Sequence, residues 1–136
     1  MRYLLDTNIC IYVARQKPAG VLARLQRLRP GDVGMSVITY LELVYGACKS
    51  QRREENLERL KELELLIPVL ALDASTGRHY GQVRAELERK GSPIGAYDLL
   101  IAVHALSLGL TLVTDNVRKF RRIGQLRVEN WAEGQP

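Results

Sequence analysis

Tyr3-Leu4-Leu5-Asp6-Thr7-Asn8 is the stretch on which the fold turns. Three apolar residues read as a short buried strand, an acid ends the run, and Ile9, Tyr12 and Val13 then recur at helical spacing. Thr7 or Asn8 stands where a helix cap is wanted. The pattern returns late in the chain. Thr111-Leu112-Val113 is a second apolar run, stopped by Thr114-Asp115-Asn116.

Working outward, Pro18-Ala19-Gly20 breaks the first helix. Val21, Leu25 and Leu28 set a second helical stripe that ends at Pro30-Gly31. Val33 to Met35 reads as a strand, and Ser36 caps a helix over Val37–Cys48. Residues 51–67 form an amphipathic helix, with Leu57, Leu60, Leu63 and Ile67 on one face and mixed charges opposite. Val69–Leu72 is a further strand. Residues 74–90 are helical with Tyr80, Val83 and Leu87 as the stripe, and a loop follows through Gly91-Ser92-Pro93 to Gly95. Tyr97–Leu108 is a helix apolar almost all round, so it should be buried, and Gly109 closes it as a C-cap. A last short strand is expected near Arg127–Glu129. Strands that alternate with helices predict an α/β fold: a mostly parallel sheet of four or five strands with helices on both faces.

The 136 residues make one domain, 1–136, and 46% hydrophobic against 26% charged residues is ordinary globular composition, which argues against disorder. Cys10 and Cys48 are too few for a disulfide scaffold or a four-cysteine zinc site. No apolar run approaches the roughly 18–20 residues of a membrane helix, and the acid at position 6 interrupts any signal-like start. A cytoplasmic protein with no membrane partner is the simplest expectation. The net charge is +5, with a pI near 9.5. Residues 1–31 hold six Lys/Arg against one Asp, and residues 117–136 hold five against two Glu, so the middle of the chain is net acidic. Basic ends around an acidic centre point to a polyanionic partner, nucleic acid first.

Most of the fifteen acids lie among basic residues on charged helix faces. Asp6, Glu42, Asp98 and Asp115 do not. Asp6 and Asp115 follow strands, where open parallel sheets bind their ligands. Glu42 has no base at i±3 or i±4, and Asp98 opens the most apolar helix. Taken singly, each has a plain structural role: a cap for Asp6, a turn former for Asp115, a dipole-favoured first-turn acid for Asp98, an exposed helix residue for Glu42. Taken together they read as a metal site, because clustered carboxylates repel unless a cation compensates. Oxygen donors favour Mg²⁺ or Mn²⁺ over zinc. His104 lies on another helix face from Asp98 and reads as a packed or hydrogen-bonded histidine.

Four segments carry a family likeness: Leu4-Leu5-Asp6-Thr7-Asn8, Thr39-Tyr40-Leu41-Glu42-Leu43-Val44-Tyr45-Gly46, Pro93-Ile94-Gly95-Ala96-Tyr97-Asp98 and Thr114-Asp115-Asn116. In this order they resemble the signature segments of PIN-domain ribonucleases, specifically the VapC toxins of bacterial toxin–antitoxin pairs. The resemblance runs from residue 2 to about Trp131. It implies a three-layer α/β/α fold and hydrolysis of RNA phosphodiester bonds dependent on Mg²⁺ or Mn²⁺. It implies a cognate VapB-type antitoxin that blocks the site, and a toxin homodimer. By position, Asp6 and Asp98 become metal ligands, Glu42 completes the acidic cluster, Asp115 matches the least uniform position, and Thr114 and Asn116 support it. The implied substrate is structured RNA with an accessible loop, a tRNA anticodon region and initiator tRNA foremost. Tyr97 and Arg84 are candidates to touch it by residue type. A non-catalytic RNA-binding or regulatory module of the same fold is the main alternative. A receiver-type phosphoryl-transfer domain fits less well, since it needs paired acids near the start, and no glycine-rich phosphate loop occurs.

Overall fold

The computed structural model describes residues 1–132. The last four residues of the expected domain lie outside that range. Five strands are present among the described residues: β1 (Tyr3–Leu5), β2 (Val33–Ser36), β3 (Val69–Leu70), β4 (Thr111–Val113) and β5 (Val128–Glu129). They form one sheet in the order β3-β2-β1-β4-β5, and every pairing is parallel. The connecting helices are α1 (Thr7–Arg15), α2 (Ala19–Gln26), α3 (Val37–Lys49), α4 (Arg53–Leu66), α5 (Ala74–Arg89), α6 (Ala96–Leu108) and α7 (Val117–Phe120). The α/β class with a parallel sheet is as the alternation of elements predicts.

The sheet separates two cores because side chains alternate along each strand. Tyr3 and Leu5 pack with α1, α2 and α4 through Ile9, Val13, Val21, Leu60 and Leu63. Leu4 points the other way, toward Val83 and Leu87 of α5, Leu99 and Ile101 of α6, and Phe120 of α7. On β4, Leu112 joins the Leu4 side and Val113 the Leu5 side. Strands buried on both faces need near-continuous apolar sequence, which is why these runs lack polar alternation. The result is the three-layer α/β/α arrangement.

Several local expectations change. Asp6, rather than Thr7 or Asn8, caps α1, with Oδ1 accepting from Ile9 N–H at 3.0 Å. β3 stops at Leu70, short of Leu72, because the next carbonyl leaves the ladder and Ala71 O lies 3.1 Å from His104 Nε2. The one-turn α7 had no apolar stripe to announce it and depends on Asn116, whose Oδ1 accepts from Lys119 N–H at 3.3 Å. α4 buries Leu60 and Leu63 as expected, but Leu65 is 85% exposed, so its apolar residues are not confined to one face. Ser36 and Gly109 cap as the sequence indicates. His104 is fully buried, its Nδ1 2.8 Å from Ser36 Oγ. The Ala71 carbonyl can only accept, so Nε2 carries the proton, and in the neutral ring the Ser36 hydroxyl donates to Nδ1. Among the described residues no helix is long and apolar enough to cross a membrane.

Candidate active site

β1 and β4 are neighbours at the point where the strand order reverses, the usual position of a ligand crevice in an open parallel sheet. Asp6 leaves the carboxyl end of β1, and its N–H donates to Val113 O of β4 at 2.9 Å. Asp115 follows β4 after one intervening residue. Asp98 lies in the first turn of α6, where the helix dipole favours a carboxylate.

Asp6 registers this convergence. It is only 7% exposed, and its pKa is pushed up to about 6. Burial is the main cause. The Thr114 hydroxyl and the Ile9 N–H act in the opposite direction by favouring the carboxylate, and repulsion from Asp115 and Asp98 adds to the rise. Thr114 is fully buried, and its Oγ1 accepts from Asn116 N–H at 3.0 Å, which leaves its hydroxyl hydrogen for Asp6.

The remaining candidates divide. Glu42 projects from α3 and is held by Thr7, whose hydroxyl donates to Glu42 Oε1 at 2.6 Å. Thr7 directly follows Asp6, so this bond links Glu42 to the chain at the end of β1. Asn116 caps α7, its Oδ1 accepting from Lys119 N–H. Asp115 Oδ2 accepts from the Tyr12 hydroxyl at 2.6 Å. Asp98 Oδ2 lies 2.7 Å from Lys119 Nζ. Arg84 is bound on its own helix by Glu88 and the Tyr80 hydroxyl, whereas Tyr97 stands 62% exposed beside Asp98. Sequence reasoning passed over Thr7, Tyr12 and Lys119. Thr7 lay inside the first quoted segment and Lys119 four residues beyond Asp115, but nothing in the sequence ties Tyr12 to the late strand.

Among the described residues, no three Asp, Glu, His or Cys side chains are gathered tightly enough to hold one metal ion between them. The donor chemistry still fits a divalent cation. Asp6 is raised chiefly by burial and further by two nearby carboxylates, so negative charge is disfavoured there, and an ammonium already lies on one of the neighbours. Hard cations such as Mg²⁺ bind through one or two carboxylates and keep several waters, so a three-carboxylate cage is not required.

Two surfaces adjoin the acids. A cleft of about 570 Å³ runs from Asp115 past Asn116, Arg118, Arg121, Arg24 and Asn130. Arg24 is engaged by Glu129 at 3.0 Å and lies over the Trp131 ring. Arg118 and Arg121 are exposed and make no ion pair among the described residues. On the other side an apolar groove of about 380 Å³ between α1, α3 and α4 is lined by Ile11, Leu43, Leu60 and Leu63, with Arg15 and Glu42 among its walls. A roomier cavity along α5, about 650 Å³, contains none of the four acids.

The PIN domain family matches residues 3–126. The tRNA(fMet)-specific endonuclease VapC of Shigella flexneri is 47% identical over 132 residues, covering 97% of this chain and 99% of the relative. This chain belongs to the VapC family of PIN-domain ribonucleases. The namesake enzyme of Salmonella typhimurium is 44% identical over 96% of this chain and 98% of its own length. The crystal structure of DNA-bound VapBC from Salmonella typhimurium superposes with a TM-score of 0.90 at 44% identity, covering 96% of this chain and 98% of that one. A VapBC structure from nontypeable Haemophilus influenzae gives 0.90 at 41% identity, over 98% and 100%. As a VapC-family chain the protein is a nuclease, and the family depends on a divalent metal. That accords with a crevice built of carboxylates and flanked by exposed arginines.

Proposed function

We propose that this chain, acting as a single domain over 1–136, is the toxin endoribonuclease of a toxin–antitoxin pair. Its substrate is tRNA, with the anticodon loop of initiator tRNA as the target, and its cofactor is Mg²⁺ or Mn²⁺. The observation that carries the reading is that Asp6 and Asp115 follow the paired strands β1 and β4, with Asp98 of the first turn of α6 near enough for its charge to be felt at Asp6. Kinship with tRNA(fMet)-specific endonucleases supports the choice of RNA.

Asp6 and Asp98 hold the metal, with Asp115 and Glu42 completing the acidic surround. Bound there, a divalent cation supplies water activation and neutralises charge on the phosphate. The chain does the rest. Thr114 and the Ile9 N–H keep Asp6 ionised and oriented. Tyr12 fixes the rotamer of Asp115, and Thr7 that of Glu42. Arg118 and Arg121 hold phosphates beside the scissile bond, and exposed Tyr97 offers a face for a base to stack on. Hydrolysis leaves 5′-phosphate and 3′-hydroxyl ends.

A VapB-type antitoxin fits the apolar groove between α1, α3 and α4, which has Glu42 in its wall, so a segment seated there reaches the acids. Relatives solved as VapBC complexes support that partner. Exposed Leu41 and Tyr45, one turn apart on α3, favour a homodimer. A tRNA substrate places the protein in the cytoplasm.

The test is cleavage of total cellular RNA with 5′-end mapping. Asp98→Asn should fold normally and cut nothing, and EDTA should stop the wild-type reaction. Cleavage that persists in a folded Asp98→Asn protein, or in EDTA, removes the metal scheme. The Lys119–Asp98 ion pair is the one observation favouring a non-catalytic RNA-binding module, which would bind tRNA without turnover.

A further inference from the structure

Lys119 stands apart from the other paired bases. Of the eight ion pairs among the described residues, the one between Lys119 Nζ and Asp98 Oδ2 is the shortest, at 2.7 Å. It is not a helix-face pair of the i,i+4 kind. It joins α7 to the first turn of α6, across 21 residues of sequence. Asn116 builds that placement by starting α7 with its Oδ1 on Lys119 N–H. The ammonium therefore lies on one of the two carboxylates whose charge is felt at Asp6.

We propose that Lys119 is the resident counter-cation of the acidic crevice and competes with the divalent metal for Asp98. The inference rests on the assignment of Asp98 as a metal-holding residue. An ammonium 2.7 Å from Asp98 Oδ2 repels a dication brought to the same carboxylate and takes up one of its two oxygens, so the two cations disfavour each other there. A lysine suits the task. Its charge is a compact point on a flexible stem, and at 31% exposure it can swing into water when the metal arrives. Lys119 shares α7 with Arg118, and Arg118 and Arg121 line the cleft assigned to RNA phosphates. Lys119 thus lowers metal affinity and relieves carboxylate repulsion in the metal-free protein.

The experiment is Mn²⁺ titration of the full chain without RNA, by calorimetry or by the electron paramagnetic resonance of free Mn²⁺. Wild type is compared with Lys119→Ala, Lys119→Gln, Lys119→Arg and Asp98→Asn. Removing the ammonium should tighten Mn²⁺ binding about tenfold in both neutral variants, and Lys119→Arg, which keeps a cation, should stay near wild type. The melting-temperature gain on adding Mn²⁺ should also be larger for Lys119→Gln than for wild type. Neutral variants that bind Mn²⁺ no more tightly than wild type, while Asp98→Asn loses binding, would overturn the competition and leave the site assignment standing. Wild-type Mn²⁺ affinity in Asp98→Asn would overturn both.

Discussion

The Tyr12 hydroxyl donates to Asp115 Oδ2 at 2.6 Å, joining two residues 103 positions apart. Tyr12 sits on the helix that Asp6 caps, so one element orients two of the crevice acids. Asp6 is held by the start of α1 and Asp115 by its second turn. The bond pushes the Tyr12 phenol up from its usual range.

Tyr12→Phe keeps the ring and deletes the hydroxyl. Asp115 then loses its anchor, and single-turnover cleavage of tRNA should fall about tenfold with KM little changed, as a loss of one charge-assisted hydrogen bond implies. The melting temperature should move by only a degree or two. A fall confined to stability would make Tyr12 a structural residue with no part in positioning.

Asp6 makes metal-free stability depend on pH. Its folded pKa is raised from 3.8 to about 6, so the folded state holds this proton more tightly than the unfolded chain does. The corresponding stability is complete below 3.8 and is lost as pH rises through 6, leaving a cost of about 3 kcal/mol above that point. Asp6→Asn keeps a capping side chain without the charge. In EDTA it should melt several degrees above wild type at pH 8, with the gap closing by pH 4. His104 titrates with the opposite sign, since burial lowers its pKa and stability falls with falling pH. The difference between the two melts therefore isolates Asp6, and equal melts at pH 8 would refute the charge cost.

Arg118 and Arg121 should act on binding rather than on chemistry. Replacing both by Ala should weaken tRNA binding in Ca²⁺ or EDTA and make the plot of log K against log salt shallower by about 1–2. Turnover at saturating tRNA should stay near wild type. Fluorescence anisotropy across a salt series reads the slope, and an unchanged slope would clear both arginines from the RNA path.

The site was less legible than the fold, for a reason visible in particular residues. β1, β4, Ser36 and Gly109 follow from near-neighbour rules: an apolar run, a cap, a glycine that takes positive φ. Those rules work within a turn or two of chain, so they also located the strand-end acids. They could not anticipate α7, which has no stripe and relies on one Asn116 cap. Nor could they anticipate Leu65, whose exposure depends on what α4 meets.

The sequence alone determined the alternation of strands and helices, the parallel α/β class, and the placement of Asp6 and Asp115 just past strands. It did so because burial period and capping act locally. Only the tertiary structure decided that Asp98 meets Lys119, that Asp115 meets Tyr12, and that Glu42 is drawn to Thr7. Those contacts depend on the β3-β2-β1-β4-β5 order, which brings the ends of β1 and β4 together. Strand order is set by how the whole apolar surface is best covered, and no local stretch of residues encodes that sum.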